Sequence, residues 1–521
     1  MHGWRDRGAR WRAGRAWRSS LTATALTALT LVATPSQAAW LRAESARFIV
    51  YSDGNEAALR QYVQKLETYD RVLDLYTNLS TETDPPRKLP IYLVPNHDGL
   101  DVASPGMGRD IVGVYESTDE DIFAVAQRNA GGDDTILHEY AHHFMLQKFA
   151  TAYPAWFVEG FAEYFATTEI QPRRVVVGKP SENRVDWLGS ARWMPMRTLL
   201  STRYGEVSQR SETYYPLSWL LTSWLLSDAA HKQYLATYLN RIHAGVGSLD
   251  AMQQATGLDG DGLEQALRAF MRHGSPYSVV DRAFPDVPIT VTPLPASADD
   301  LLLLNQQLFD TIKEEDRPVL LARIGALAAR HPGDAFAQLV LGHAQVTLGD
   351  PTSGEATLTD LLTRDPGNVR ALQLLARARM DQADKTDDTD AAAQLRRQAR
   401  GFLGRAYQAD GANFTTLSML SESRRQSSDF PNDNDVETMR LAYQLAPQLP
   451  AARMNLAQVL IYRGNKAEGI TLLRPLANSP HDPQIAASAQ RMIDEANGVT
   501  SDPADAPSED AGDGDETPAV S

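Results

Sequence analysis

The spacing of hydrophobic residues changes period several times along the chain. Arg47–Ser52 (RFIVYS) alternates and is rich in β-branched and aromatic residues, which predicts a strand. From Glu56 to Tyr76 the apolar positions Leu59, Val63, Leu66, Tyr69, Leu73 and Tyr76 recur at the spacing of one helix face. A second strand is predicted over Leu89–Val94 (LPIYLV), and IVGVYES with DIFAVA reads as a hairpin turning at Thr118 to Glu120. Gly131, Gly132, Asp133 and Asp134 then break the pattern and supply an N-cap carboxylate for a helix to about Phe149. Pro154 suits the first turn of a second helix, running to about Thr167, and from Tyr214 to about Ala269 the pattern is mostly helical. Strands followed by helices predict an α+β domain with a small mixed sheet.

After residue 285 the texture changes. Pro285, Pro288, Pro293 and Pro295 interrupt an apolar stretch, which predicts an extended linker over 286–295. Beyond it, Arg330-His331-Pro332-Gly333-Asp334 recurs 34 residues later as Arg364-Asp365-Pro366-Gly367-Asn368, each followed by an amphipathic segment. Thirty-four residues is the tetratricopeptide period. Further copies read AYQADGANFTTLSML, LAYQLAPQLPAARMNLAQVLIYRGN and LANSPHDPQIAASAQ, and an acidic insert, DKTDDTDAAAQ, stretches one repeat. An all-α solenoid over 296–495 is therefore expected, separable from a first domain at 39–285. Residues 496–521 are acidic, with scattered Pro and Gly, and predict a solvated tail.

Composition narrows the chemistry. The 521 residues are 43% hydrophobic and 22% charged, a globular balance. Cysteine is absent, which removes disulfides, thiol nucleophiles and thiolate metal sites and leaves His and carboxylates as the strong metal ligands. A net charge of -16 argues against nucleic acid and anionic membranes as partners. The N-terminus differs from the rest. Residues 1–20 carry six arginines (Arg5, Arg7, Arg10, Arg12, Arg15, Arg18) against Asp6, and the short apolar run Leu21–Val32 leads to Ser36-Gln37-Ala38. This predicts a signal peptide, 1–38, cleaved after Ala38, and a periplasmic or secreted mature protein with no stable membrane span.

The densest cluster of chemistry lies between His138 and Glu163. In Leu137-His138-Glu139-Tyr140-Ala141-His142-His143, His138 and His142 are one turn apart on one helix face and can chelate a single ion. Glu139 projects beside them, toward a water on that ion. Seventeen residues after His142, in Trp156-Phe157-Val158-Glu159-Gly160-Phe161-Ala162-Glu163, two acids again stand one turn apart on an otherwise apolar helix. Such acids are costly to bury unless a cation meets them. A zinc ion would satisfy Glu159, and a metal-bound imidazole N–H would satisfy Glu163. His143 lies about 140° around the helix from His138 and reads as a histidine that supports a ligand or is structural, rather than a ligand itself.

HEYAHH followed by WFVEGFAEYF resembles the gluzincin zinc metallopeptidases, the thermolysin-like and aminopeptidase-like clan, and above all an exported bacterial branch with tetratricopeptide repeats after the catalytic domain. The resemblance is strong over 133–167 and diffuse over 45–275. It implies one Zn2+ per chain on His138, His142 and Glu159, with Glu139 as general base and Glu163 orienting a ligand histidine. Val158 departs from the Asn that many gluzincins place before the ligand Glu. The likeness also implies an oxyanion donor on a later helix. Tyr214-Tyr215-Pro216-Leu217-Ser218-Trp219 is similar to the YxxSW start of that branch, which makes Tyr215 the first choice and Tyr214 the second; paired aromatics capping a core helix are the alternative, and His231 and His243 are weaker candidates. The Gly-x-Met-Glu-Asn strand of the clan's aminopeptidases has only Gly113-Val114-Tyr115-Glu116-Ser117 as a counterpart, so exopeptidase action is unsupported. The expected function is an exported zinc-dependent peptidase acting on peptide or protein substrates, its repeat groove recruiting substrate or a protein partner. The competing expectation is an inactive gluzincin-like domain on a tetratricopeptide binding scaffold.

Overall fold

The computed structural model describes residues 39–77, 87–109, 111–118, 120–128, 132–148, 153–180, 182–202, 211–274, 276–477 and 483–499. The expected signal peptide, and residues 500–521 of the expected tail, lie outside the described residues.

The chain opens with β1 (Leu41–Glu44) and β2 (Phe48–Ser52), then α1 (Glu56–Thr77), β3 (Leu89–Val94), α2 (His97–Ala103), β4 (Gly113–Ser117) and β5 (Ile122–Gln127). With β9 (Thr290–Pro293) these strands form one sheet of order β4-β5-β3-β2-β1-β9. Strands β2, β3 and β5 run parallel, while β4 and β1 are antiparallel to their neighbours. The central strands are apolar on both faces because both faces are covered. Phe48, Val50, Ile91, Leu93, Ala124 and Ala126 face a core shared with α1 and α3 (Gly132–Lys148). Tyr92, Val94, Phe123 and Val125 face the opposite way, onto α2 and onto Ala298 and Leu302 of a helix far along the chain, α11 (Ala298–Gln307).

After α3 come α4 (Ala155–Ala166), the short strands β6 (Glu169–Gln171) and β7 (Arg174–Val177), α5 (Glu182–Ser190), α6 (Met196–Ser201), α7 (Ser211–Leu226), α8 (Ala229–His243), α9 (Ser248–Thr256) and α10 (Gly260–His273). Strand β8 (Ser278–Val280) returns to pair with β7.

The proline-rich segment is not a free linker. Thr290–Pro293 is a strand in full register with β1, from Leu41 opposite Pro293 to Glu44 opposite Thr290. Proline is compatible with this place because an edge strand needs ladder donors on one side only, and Pro293 sits at its end.

The repeat region is likewise not an independent body. Helices from α12 (Arg317–Ala328) through α13 (Ala335–Leu348), α14 (Pro351–Arg364), α15 (Val369–Asp384), α16 (Thr389–Ala409), α17 (Phe414–Glu422), α18 (Asp433–Leu445), α19 (Pro450–Tyr462), α20 (Lys466–Ala477) and α21 (Pro483–Asn497) follow one another as hairpins. The recurring motif marks their starts. Asp334 caps α13, Asn368 caps α15 and Asn413 caps α17, each accepting from the amide three residues on. Asn413 follows Asn368 by 45 residues, the 34-residue period lengthened by the eleven of the acidic insert. Phe414, Leu417, Ala442, Leu445, Ala446, Leu449 and Ala452 join the same buried core as the sheet. Among the described residues, the first domain and the repeats expected after it share one buried core. Sequence periodicity reports that a helix has an apolar face and not what covers it.

The β4 edge illustrates the alternation rule. Tyr115 points to the α3 side, while Glu116 points to the other face, where Asp310 lies in the loop after α11. This turns Glu116 away from the helix that carries the histidines and removes it as a substrate-amine ligand. Burial first, and Asp310 second, raise its pKa from 4.5 to about 7. Below about 4.5 the acid is protonated folded or unfolded; between about 4.5 and about 7 the unfolded chain gives up its proton first, so stability falls as pH rises through that window. Thermal melts between pH 4.5 and pH 7.5 should show that decline, amounting to at most roughly 3 kcal/mol. Glu116→Gln should flatten it.

Candidate metal centre

Helices α3 and α4 cross so that the two motif segments meet. His138 and His142 are 4% and 3% exposed and Glu159 is 1% exposed, whereas Glu139 is half-buried. The Nε2 atoms of His138 and His142 stand 3.1 Å apart, and each is 3.6 Å from Oε2 of Glu159. Two donors each about 2.0–2.1 Å from a tetrahedral ion would lie roughly 3.3 Å apart, so the three atoms outline the face of such a site. Among the described residues these three are the group whose His and carboxylate donors converge in this way. Burial alone would depress the His138 pKa, but Glu159, Glu163 and Glu139 together overcome it and raise it to about 9. The pocket therefore draws positive charge.

Glu163, one turn after Glu159, lies with Oε1 3.8 Å from Nδ1 of His138, the side of the ring facing away from Glu159. It also has a partner the sequence did not indicate. Arg184 of α5 donates to both its oxygens, from Nε at 3.1 Å and Nη2 at 2.8 Å. This fork supplies the cation that a buried acid requires. Nothing in the local pattern of α5 could have pointed to it, because the pairing depends on how the chain returns after β7.

His143 is buried and stacks on Tyr140 with centroids 5.6 Å apart. Its Nδ1 is 2.9 Å from the Tyr115 hydroxyl of β4, and burial, aided by Arg87, lowers its pKa to about 3. It is a neutral structural histidine that fastens the edge strand to α3. Tyr140 in turn donates to Asp70 of α1 at 2.8 Å, and Asp70 pairs with Arg47 at 2.6 Å. The helix bearing both histidines is thus anchored on two sides.

The later candidates separate by burial. Helix α7 packs along α4, sealing Tyr214 completely and leaving Tyr215 partly exposed. Of the two, only Tyr215 keeps part of its surface accessible. His231 is engaged by Asp228 at 2.7 Å and His243 is exposed against Tyr153, both as surface residues.

Gly160 makes the close approach of α4 to α7 possible. A Cβ there would overlap Thr222 Oγ1 and the backbone carbonyl of Ser218, and the carbonyl cannot yield without moving α7. Gly160→Ala should therefore cost about 1–3 kcal/mol in denaturant unfolding and weaken metal retention, since the displaced turn carries Glu159.

No protein-family profile matches the chain. Over 153 residues it is 29% identical to cellulose synthase 1 operon protein C of Komagataeibacter xylinus, a stretch making up 29% of this chain and 11% of that protein. The chain thus spans about a tenth of that relative's length. Among solved structures, a thermophilic TPR protein of Thermus thermophilus is similar at 18% identity and a TM-score of 0.32, over 38% of this chain and 99% of that one. With its 34-residue recurrence and capped helix pairs, the C-terminal half of the chain is a tetratricopeptide-like array that shares the buried core of the sheet.

Proposed function

We propose that the chain is an exported, zinc-dependent peptidase of gluzincin type. The observation that carries this reading is the convergence of His138, His142 and Glu159 at tetrahedral spacing, with half-buried Glu139 next to them in sequence. Two imidazoles and one carboxylate form a donor set suited to catalytic zinc, which keeps a position open. Zinc held there would supply Lewis acidity, polarising a peptide carbonyl and acidifying a water to near neutral pKa.

The chain's own groups do the rest. Glu139 takes the proton of the attacking water and passes it to the departing amine. Arg184 holds the Glu163 carboxylate in place through both its oxygens, and Glu163 fixes the ring of His138. Strand β4 stands at the sheet edge beside α3, so its outer ladder groups can pair with an extended peptide and lay it across the cluster. Tyr215 would donate to the oxyanion that forms on the substrate carbonyl. The repeat array offers a surface for a protein substrate or partner.

Metal analysis of the purified chain, alongside hydrolysis of a denatured protein, tests the reading. One zinc per chain with chelator-sensitive cleavage is the expected result. Stoichiometric zinc without turnover of any peptide would replace it with the inactive binding scaffold.

A further inference from the structure

The strand bordering α3 is gripped from its far end by the repeats. The β4–β5 hairpin turns at Thr118, whose hydroxyl accepts from the amides of Glu120 and Asp121. Three contacts from beyond the sheet converge on that turn. Arg370 of α15 donates to the Glu120 carboxylate at 2.5 Å, and Thr415 of α17 donates to the Glu120 carbonyl at 3.0 Å. Arg87, paired with Asp121, lies 4.9 Å over the ring of Phe414.

Arg370 is the centre of this junction. Its guanidinium sits 4.7 Å over Phe309, whose ring meets Phe123 of β5 at 6.1 Å. Its Nη2 is 3.1 Å from Nε2 of His343, on α13. Burial first, and Arg370 second, hold the His343 pKa well below 6.5, so the ring is neutral. A neutral imidazole has one acceptor and one donor. Nε2 accepts from Arg370, and the proton on Nδ1 faces Asn305 Oδ1 at 3.5 Å. The arginine is thus held between the Phe309 ring and the His343 imidazole and directed toward a single acid on the hairpin. Because, among the described residues, β4 has only β5 as a ladder partner, its position depends on the turn that joins them and on Tyr115.

We propose that Arg370 is a positioning residue through which the repeat array sets the edge strand β4: it clamps Glu120 so that the strand keeps one register beside the metal cluster. The clamp itself follows from the contacts; its effect on substrate rests on the peptidase reading.

Arg370→Ala, Arg370→Lys, Glu120→Gln and the Arg370→Ala/Glu120→Gln pair, in the full chain, test this by hydrogen exchange and steady-state hydrolysis. Amides of residues 113–117 should exchange about ten-fold faster in Arg370→Ala while those of α4 and the zinc content stay as in wild type. KM for an unstructured peptide of about ten residues should rise about five- to ten-fold with kcat within about two-fold, and KM for a tripeptide too short to lie along β4 should not move. Arg370→Lys should restore part of the loss, and the double variant should be no worse than the worse single one. Glu120→Gln reads the same contact if Arg370→Ala does not fold. Unaltered exchange at 113–117, or kcat and KM shifting together for both substrates, overturns the clamp. Zinc-loaded wild type that cleaves neither peptide sinks the peptidase reading instead, and the exchange result still decides the clamp.

Discussion

Glu139→Gln is expected to lower kcat by about 10²–10⁴-fold while the protein keeps its zinc. The amide has the shape of the acid but cannot accept the proton of the attacking water. Glu139 lies between the two buried histidines in sequence, yet is itself only half-buried, so it can reach a substrate without being a ligand. The measurement pairs single-turnover hydrolysis of a denatured protein with elemental analysis of the same sample. Activity within a few-fold of wild type would remove Glu139 as the base and with it the hydrolytic scheme.

Loss of a ligand should act differently. His142→Ala is expected to retain less than about a tenth of the wild-type zinc after dialysis, because only two of three protein donors remain. The contrast with Glu139→Gln matters, since one variant separates metal from turnover and the other removes both. Stoichiometric zinc in His142→Ala would show that the converging atoms of His138, His142 and Glu159 are not the site. Circular dichroism of the same sample guards against simple unfolding, as His142 is buried next to Phe144 and Ala141.

What was legible in the sequence follows from the range of the interactions. The helix face of His138 and His142, and the turn separating Glu159 from Glu163, are local geometry, and the expected elements around them are present in order. The reading of His143 as other than a ligand was local too, since a five-residue step leaves the ligand face. Arg184, Arg370 and Tyr115 were not legible, because each acts on a residue that only tertiary folding brings near. For Glu116 the alternation of β4 was readable, but its choice of face was not, since an edge strand with polar residues on both sides carries no signal of which one is inward. The prolines of 285–295 misled for a related reason. They mark the ends of an edge strand as readily as a linker, and the difference lies in whether a partner strand waits for it.

That partner strand has a consequence for how the chain is made. Strand β1 lies early in the chain, yet its outer neighbour β9 is about 250 residues further on. Until that neighbour arrives, the N-terminal hairpin carries an open ladder, the kind of surface that recruits other chains during synthesis or transport. Covering of the β1 edge is therefore a late event governed by a contact of very long range, whereas β1 to β5 pair within the first part of the chain. A chain ending at residue 285 would keep His138, His142 and Glu159 and still lack the proline-bearing strand that covers the β1 edge. Such a fragment should associate edge to edge, appearing as dimers or larger species in sedimentation, and adding a peptide of residues 286–295 in excess should return part of it to the monomer.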